Sequence, residues 1–282
     1  MYTLILNSAN IVEGFNNSRF TFTFPGGGVT FKNQKLALAS VQMYYSNPNI
    51  SSYYRNNYFT YTWIDGTVVD VTIPEGFYEL STINNYIHSV MMQNKHYYTD
   101  TAGNLVWLID LAENATFYGI QLNLWITSSS IATSSNWTIP SGATWSNPTS
   151  STMCKVTFSS AYEFYKLVGF TPGTYGEDSP TKNVQYLSDI TPVMTPVDGY
   201  VVTCNAIENP MTNPNTVLYS FTPTVQFGSQ MNEKPSQYPW CKIRNGSYTE
   251  LTIDILDQNL RRVRFKDPST TILLMVSEEE EM

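Results

Sequence analysis

The stretch Phe20–Phe24 reads FTFTF, and its aromatic rings alternate strictly with threonine hydroxyls. Alternate side chains of a strand lie on the same face, so the three rings are expected to share one face of a sheet. Residues 67–73 (TVVDVTI) repeat this period of two, and Asp65-Gly66 connects them to residues 58–64 as a predicted hairpin turn. The dominant period therefore predicts a protein built from strands.

One segment breaks this period. Between Leu80 and Met91 the apolar residues recur at helical spacing, and Ser81 or Thr82 is expected to cap the start of the helix. Residues 127–152 are rich in Ser, Thr, Asn and Pro and predict a loop. Many short strands with little helix predict an all-β antiparallel sandwich or barrel. The further predicted strands are residues 36–45, 106–110, 117–126, 155–159, 200–205, 216–221, 249–256, 261–266 and 270–276.

The composition is apolar and aromatic but poor in charge. Of the 282 residues, 42% are hydrophobic and 14% aromatic, whereas 13% are charged, about half of the roughly 25% of an average soluble domain. This balance argues against intrinsic disorder and against a coiled coil. The net charge is −8, half of it from Glu278–Glu281, and the chain has no basic run for coating nucleic acid. A nearly neutral, aromatic surface favours contact with other protein.

The cysteines and the N-terminus bear on the site of synthesis. Three cysteines, at positions 154, 204 and 241, are widely spaced without a CxxC pair, so we expect buried or free thiols. The first residues, MYTLILN, lack the basic start and long apolar core of a signal peptide. No stretch of ~20 apolar residues predicts a transmembrane helix. We therefore expect intracellular synthesis and no transmembrane segment.

The sequence contains no motif of a known catalytic or metal site. His88 lies in the predicted helix and His96 just beyond it, and neither has acidic or cysteine neighbours at zinc-ligand spacing. The nucleophile motif GxSxG and the phosphate-binding glycine motifs are absent. Acidic residues are scattered singly, although folding alone brings together the carboxylate pair of a glycosidase, which leaves that alternative open. We expect no enzyme activity, no cofactor and no bound metal.

Three groups of residues are candidate contacts with other molecules. Two adjacent tyrosines suit either packing within the sheets or contact with protein or sugar. Two arginines of the predicted strand 261–266 share one face, either to protect a sheet edge from aggregation or to bind an acidic partner. Two glutamates begin the C-terminal acidic run, which is either solvated or bound to a basic partner. These candidates are Tyr53 and Tyr54, Arg262 and Arg264, and Glu278 and Glu279.

Longer phrases occur along the chain in an order that resembles a known family, the minor capsid or penton proteins of virophages, polinton-like viruses and related double-stranded DNA viruses. The resemblance covers most of the chain, and residues 127–152 carry no motif of the family. The phrases are LALASVQMYYSNPNIS (36–51), NNYFTYTW (56–63), IPEGFYELSTINNYI (73–87), FYKLVGF (164–170), TPVMTPVDGYVVTCNAI (191–207), VLYSF (217–221), LTIDILDQNLRRVRF (251–265) and TILLMV (271–276).

The resemblance implies a single jelly roll over residues 1–282, with residues 80–168 as a candidate inserted subdomain. It implies a structural protein that forms a homo-pentamer at the fivefold vertex of an icosahedral virion and contacts the major capsid protein. Such a protein would be synthesised in the host cytoplasm or virus factory, and we expect no contact with nucleic acid. The alternative is a carbohydrate-binding β-sandwich used in viral attachment, with tyrosine and tryptophan rings as stacking platforms.

Overall fold

The computed structural model describes residues 1–278, and residues 279–282, including Glu279, lie outside the described part. The chain divides into two compact units. One unit is discontinuous and consists of Met1–Pro48 together with Val197–Met282, and the other is Asn49–Pro196. The second unit, called the inserted unit below, thus lies between the two halves of the first in the sequence.

Short strands dominate both units. The helices are α1 (Leu80–Gln93), α2 (Ser129–Ser134) and α3 (Phe164–Val168). The strands are β1 (Tyr2–Leu6), β2 (Arg19–Thr23), β3 (Val29–Phe31), β4 (Gln34–Tyr44), β5 (Tyr58–Thr62), β6 (Val68–Thr72), β7 (Tyr98–Thr99), β8 (Leu105–Val106), β9 (Ile109–Asn114), β10 (Gly119–Leu124), β11 (Ile126–Thr127), β12 (Thr152–Met153), β13 (Lys155–Phe158), β14 (Gly173–Tyr175), β15 (Val184–Leu187), β16 (Tyr200–Cys204), β17 (Ile207–Glu208), β18 (Val217–Phe221), β19 (Gln230–Glu233), β20 (Cys241–Ile243), β21 (Gly246–Tyr248), β22 (Glu250–Asp257) and β23 (Thr270–Glu278).

The discontinuous unit contains two larger sheets. One has the order β1-β23-β4-β20-β17, with β19 also paired to β4, and the other has the order β18-β16-β22-β2. The pairings in both sheets are antiparallel. Strands β19 and β20 pair with different parts of β4 and act as two halves of one strand. Pro235 and Pro239 lie between the two halves, where proline has no N–H to continue the ladder.

The order of these strands defines the fold of the discontinuous unit. Counted along the chain, the principal strands are β1, β2, β4, β16, β18, β19 with β20, β22 and β23. The first, eighth, third and sixth lie side by side in one sheet, and the second, seventh, fourth and fifth form the other. This interleaving of early and late strands is the pair of Greek keys of a jelly roll. The predicted all-β antiparallel class is confirmed, and we call this unit the jelly-roll unit.

Buried side chains alternate along the strands as the period of two predicts. Leu251, Ile253 and Ile255 of β22 are fully buried, and Phe20 of β2 pairs with Ile253 across the ladder. Phe22 and Phe24 are half-buried, with their ring centroids 5.3 Å apart in an edge-to-face contact. Strand β2 is the last strand of its sheet, so the FTFTF stretch lies at the sheet edge, and its first ring, Phe20, is in the core.

The inserted unit has its own core. Its sheets are β14-β13-β5-β6 and β15-β10-β9, with the small pairs β7-β8 and β11-β12. Helix α1 packs against β9, and its buried stripe of Leu80, Ile83, Ile87 and Met91 matches the predicted apolar face. The predicted subdomain 80–168 lies wholly inside this unit, and its bounds stay a prediction.

Three local predictions are wrong. Helix α1 is preceded by Glu79 as its N-cap, so Ser81 and Thr82 lie within the first turn instead of capping it. The predicted loop 127–152 contains α2, because the Ser128 hydroxyl accepts a hydrogen bond from the amide of Ile131 and caps the helix. Residues 261–266 are not a strand and form a single isolated bridge with β22.

The reason for the third difference is the carboxylate of Asp257. One carboxylate oxygen accepts hydrogen bonds from the amides of Asn259 and Arg261, at 2.9 and 2.8 Å, and the other accepts from the Arg261 guanidinium. Leu260 adopts a positive φ of 61° within this turn. The turn supplies hydrogen-bond partners to the backbone amides of these residues, so residues 261–266 do not form a second strand paired with β22.

Candidate functional site

Arg262, predicted as an interface residue, is engaged within the jelly-roll unit. Its guanidinium lies 3.0 Å from the Asp254 carboxylate, and Arg19 binds the same carboxylate at 2.7 Å. Both guanidiniums lie over the ring of Phe15, at 4.4 and 4.3 Å from its centroid. Partial burial alone would raise the pKa of Asp254, but the hydrogen bonds from the two arginines outweigh it and lower that pKa.

The other predicted contact residues occupy different settings. Arg264 is half-buried and alternates with buried Val263 and Phe265, so it lies on the same side of the chain as Arg262. Tyr53 is 44% exposed in the inserted unit, and its ring meets that of half-buried Tyr54 edge to face at 5.2 Å. Glu278 is exposed at the end of β23, and Glu279 lies outside the described residues. Their role as interface residues stays a prediction.

The inserted unit carries a cleft of about 560 Å³ that the sequence did not predict. Three segments line it: residues 77–81 at the start of α1, residues 113–115 and 118–120 of the hairpin between β9 and β10, and residues 192, 194 and 195. The size falls within the roughly 300–1,000 Å³ of ordinary small-molecule sites. The lining mixes aromatic and aliphatic side chains with carboxylate, amide and hydroxyl groups.

Buried Asn49 fixes two walls of this cleft relative to each other. Its side-chain amide donates to the carbonyl oxygens of Tyr78 and Met194, each at 2.8 Å. Its side-chain oxygen accepts from the amide of Tyr78 at 2.8 Å. All three contacts hold backbone groups, so Asn49 positions the segment before α1 against the segment that contains Met194.

The third wall is a tight hairpin that presents an aromatic ring. Glu113 pairs with Ile120, and Asn114 with Gly119, on either side of a single 3-10 turn at Ala115–Phe117. Tyr118 follows that turn with a left-handed backbone, φ 49° and ψ 47°, and 82% of its surface is exposed. Left-handed backbone is strained for a residue with a side chain.

Several polar side chains at the cleft have no partner among residues 1–278. The carboxylates of Glu79 and Glu113 and the hydroxyls of Ser81 and Thr195 form no hydrogen bond or ion pair within that part of the chain. The Asn114 amide nitrogen donates to Gln121 at 3.1 Å, and its carbonyl oxygen is unused. In the sequence, Glu113 is one of several singly placed acidic residues. Only the β9–β10 hairpin brings it near the start of α1.

The histidines and cysteines lie apart from this cleft and are buried or half-buried. His96 stacks on Trp63, His88 stacks on Trp107, and burial lowers the pKa of each imidazole. Burial raises the pKa of the Cys154 thiol well above its ordinary value. Residues 1–278 contain no group of three or more His, Cys, Asp or Glu side chains arranged to hold a metal ion. No helix among them is long and apolar enough to cross a membrane.

These features define a jelly-roll protein that is interrupted, between the third and fourth principal strands, by a second unit of strands and three helices that carries a cleft. No protein-family model matches the chain, and no curated protein matches its sequence. Solved structures that are similar to it include the following two. The mavirus penton protein matches with a TM-score of 0.44 and 10% identity, covering 98% of this chain and 96% of that one. A chain of the Sputnik virophage structure, determined by cryo-EM, matches with a TM-score of 0.37 and 12% identity, covering 98% of each.

The assignment of the fold rests on the strand order and pairing of the jelly-roll unit itself.

Proposed function

We propose that this protein is a viral structural protein, a penton that assembles as a homo-pentamer at the fivefold vertex and contacts the major capsid protein. The observation that carries the proposal is the jelly-roll strand order, an architecture used by capsid and lectin domains. A fold does not define a function on its own, so the surface must also suit assembly. In this role the protein works by association and carries out no reaction.

The edge of one jelly-roll sheet supports assembly. Strand β1 ends its sheet and pairs, within residues 1–278, with β23 alone. On β1 the side chains of Tyr2 and Ile5 are 69% and 53% exposed. Soluble proteins usually protect such an edge with charges, proline or a covering segment, because it otherwise pairs with another chain. An apolar, uncharged edge therefore fits a strand that another protein covers.

Low charge fits the same role. Neighbouring copies in a closed ring use two different surfaces, one on each side of the subunit, so a large share of the surface faces protein. Interface centres are depleted in charge and enriched in tyrosine and tryptophan. Tyr53 of the inserted unit and Trp240 of the jelly-roll unit are both partly exposed aromatic residues that suit such contacts. The acidic residue Glu278 suits a basic capsid partner.

Co-assembly with the major capsid protein of the parent virus tests the proposal. We expect the wild-type protein, visualised by cryo-EM of the particles, to occupy the fivefold vertices. Ile5→Lys places a charge on the β1 edge and is expected to reduce vertex occupancy severalfold. Val68→Lys is the matched control, because Val68 is 64% exposed on β6 of the inserted unit. Particles that assemble with their vertices empty of the wild-type protein would contradict the proposed role.

A further inference from the structure

The cleft of the inserted unit has the properties of a ligand site and is independent of the proposed capsid role. It is about 560 Å³ in volume and combines apolar walls with several polar groups that converge on it. Small-molecule sites share this combination, in which the apolar walls supply contact and a few polar groups fix orientation. Asn49 holds two of its walls, so the site is formed without a ligand.

Tyr118 is the most exposed aromatic residue that lines the cleft. Its side chain is 82% exposed, so it contributes little to the core. Its left-handed backbone, at φ 49°, favours glycine or asparagine. The hairpin turn sets this backbone, so the informative feature is that a large aromatic side chain stands at a position where glycine would be free of strain. An exposed tyrosine ring at the mouth of a cleft offers a flat apolar face with a polar tip.

The polar groups of the cleft are mostly hydrogen-bond acceptors and hydroxyls. Glu79 and Glu113 offer carboxylate oxygens, Asn114 an unused carbonyl oxygen, and Ser81 and Thr195 hydroxyls. A ligand that fits must carry many hydroxyl donors and an apolar face that can stack on a ring. Sugars have both, since one face of a pyranose ring presents C–H groups and its rim presents hydroxyls.

The charge of the cleft sets the class of sugar. Among residues 1–278, no lysine, arginine or histidine lines it, and its acidic groups are the two carboxylates of Glu79 and Glu113. A sialylated or sulfated sugar would meet like charge without a cation to bind it.

We propose that this cleft binds neutral oligosaccharides, with the Tyr118 ring as the stacking platform and Glu79 and Glu113 as acceptors for sugar hydroxyls. The site lies wholly within the inserted unit. A vertex protein with such a site could attach the particle to a glycan-bearing surface, so the inference adds an activity to the structural role.

A glycan array probed with the full chain, followed by saturation-transfer NMR on the best ligand, tests the inference. We expect binding to uncharged oligosaccharides and at least tenfold weaker binding to their sialylated or sulfated counterparts. Tyr118→Gly should weaken binding at least tenfold while leaving the melting temperature equal or higher, since glycine relieves the left-handed backbone. Phe117→Ala removes an exposed aromatic ring of the same hairpin that does not line the cleft, and this matched control should bind normally.

Three results would overturn the inference. The first is that no uncharged oligosaccharide on the array binds the protein. The second is that the Tyr118→Gly variant binds sugar as tightly as the wild type. The third is that the cleft binds oligolysine and no sugar, which would identify it as a site for basic peptides. The native mass of the Tyr118→Gly variant separates this inference from the capsid role, because a variant that assembles normally but fails to bind sugar affects the cleft alone.

Discussion

The imidazole of His96 lies flat on the indole of Trp63, with ring centroids 4.7 Å apart and the two planes 4° from parallel. His96 is 5% exposed, and its Nδ1 shares a hydrogen bond of 2.9 Å with the hydroxyl of Tyr61. Trp63 is 1% exposed, and its indole N–H has no hydrogen-bond partner among the described residues. The stack places a titratable group in the centre of an aromatic core, where its charged form is disfavoured.

The burial of His96 predicts acid sensitivity of the inserted unit. Burial lowers the pKa of His96 below its ordinary 6.5, although the nearby Asp65 carboxylate acts in the opposite sense. In the unfolded chain the His96 imidazole takes up a proton near pH 6.5, whereas in the folded chain it stays neutral to lower pH. The free energy of unfolding therefore has its full value above pH 6.5 and decreases below it. We expect the melting temperature to drop between about pH 7 and pH 5.

Burial also lowers the pKa of His88, against the hydrogen bond to Ile109 and the charge of Asp110, so both histidines contribute in the same direction. His96→Phe keeps an aromatic ring on Trp63 and should flatten the pH dependence, and the double variant with His88→Phe should flatten it further. An unchanged slope in the double variant would show that carboxylates cause the acid sensitivity.

The Asp254 carboxylate, shared by Arg19 and Arg262, is expected to stabilise the jelly-roll unit. Asp254→Asn keeps the shape but removes the charge that both guanidiniums bind, and we expect a loss of about 1–2 kcal/mol in the free energy of unfolding, because the arginines are partly exposed. Urea unfolding at neutral pH measures it. Asp70→Asn, an exposed carboxylate bonded to Tyr58, serves as control, and equal losses in the two variants would contradict this account.

Asn49 is expected to be the most sensitive polar residue at the cleft. Asn49→Ala leaves one buried amide and two carbonyl groups without partners, at a cost of about 2–4 kcal/mol. Asn57→Ala removes a single hydrogen bond of 3.3 Å and should cost about 1 kcal/mol or less. Urea unfolding compares the two, and a loss at Asn49 no greater than at Asn57 would show that Asn49 does not hold the walls.

The three thiols are expected to resist modification in the native protein. Cys154 and Cys204 are fully buried, and burial raises the pKa of Cys204 to about 11, so little thiolate forms at neutral pH. A thiol reagent such as DTNB should label them at the rate of unfolding. Cys241, at 9% exposure, should react first. Immediate reaction of all three cysteines with DTNB in the absence of denaturant would show that the thiols are not buried.

The class of fold was accessible from the sequence because strand burial follows a local period. The alternation in Phe20–Phe24 and in residues 251–256 follows from one-sided burial, and the stripe of α1 from the helical repeat. The position where β22 ends could not be predicted from the sequence, since it depends on the turn that the Asp257 side chain stabilises. The cleft was equally hidden. Its residues are far apart in the chain and meet only through the β9–β10 hairpin and the contacts of Asn49.

The native mass of the purified 282-residue protein tests the central claim, assembly as a penton, most directly. The account predicts a closed species of five times the 31.9 kDa chain mass in native mass spectrometry at high protein concentration. Ile5→Lys on the β1 edge should shift this species towards the monomer, and Val68→Lys should leave it intact. A protein that stays strictly monomeric at every concentration, or that closes into a ring of a different number, would contradict the account.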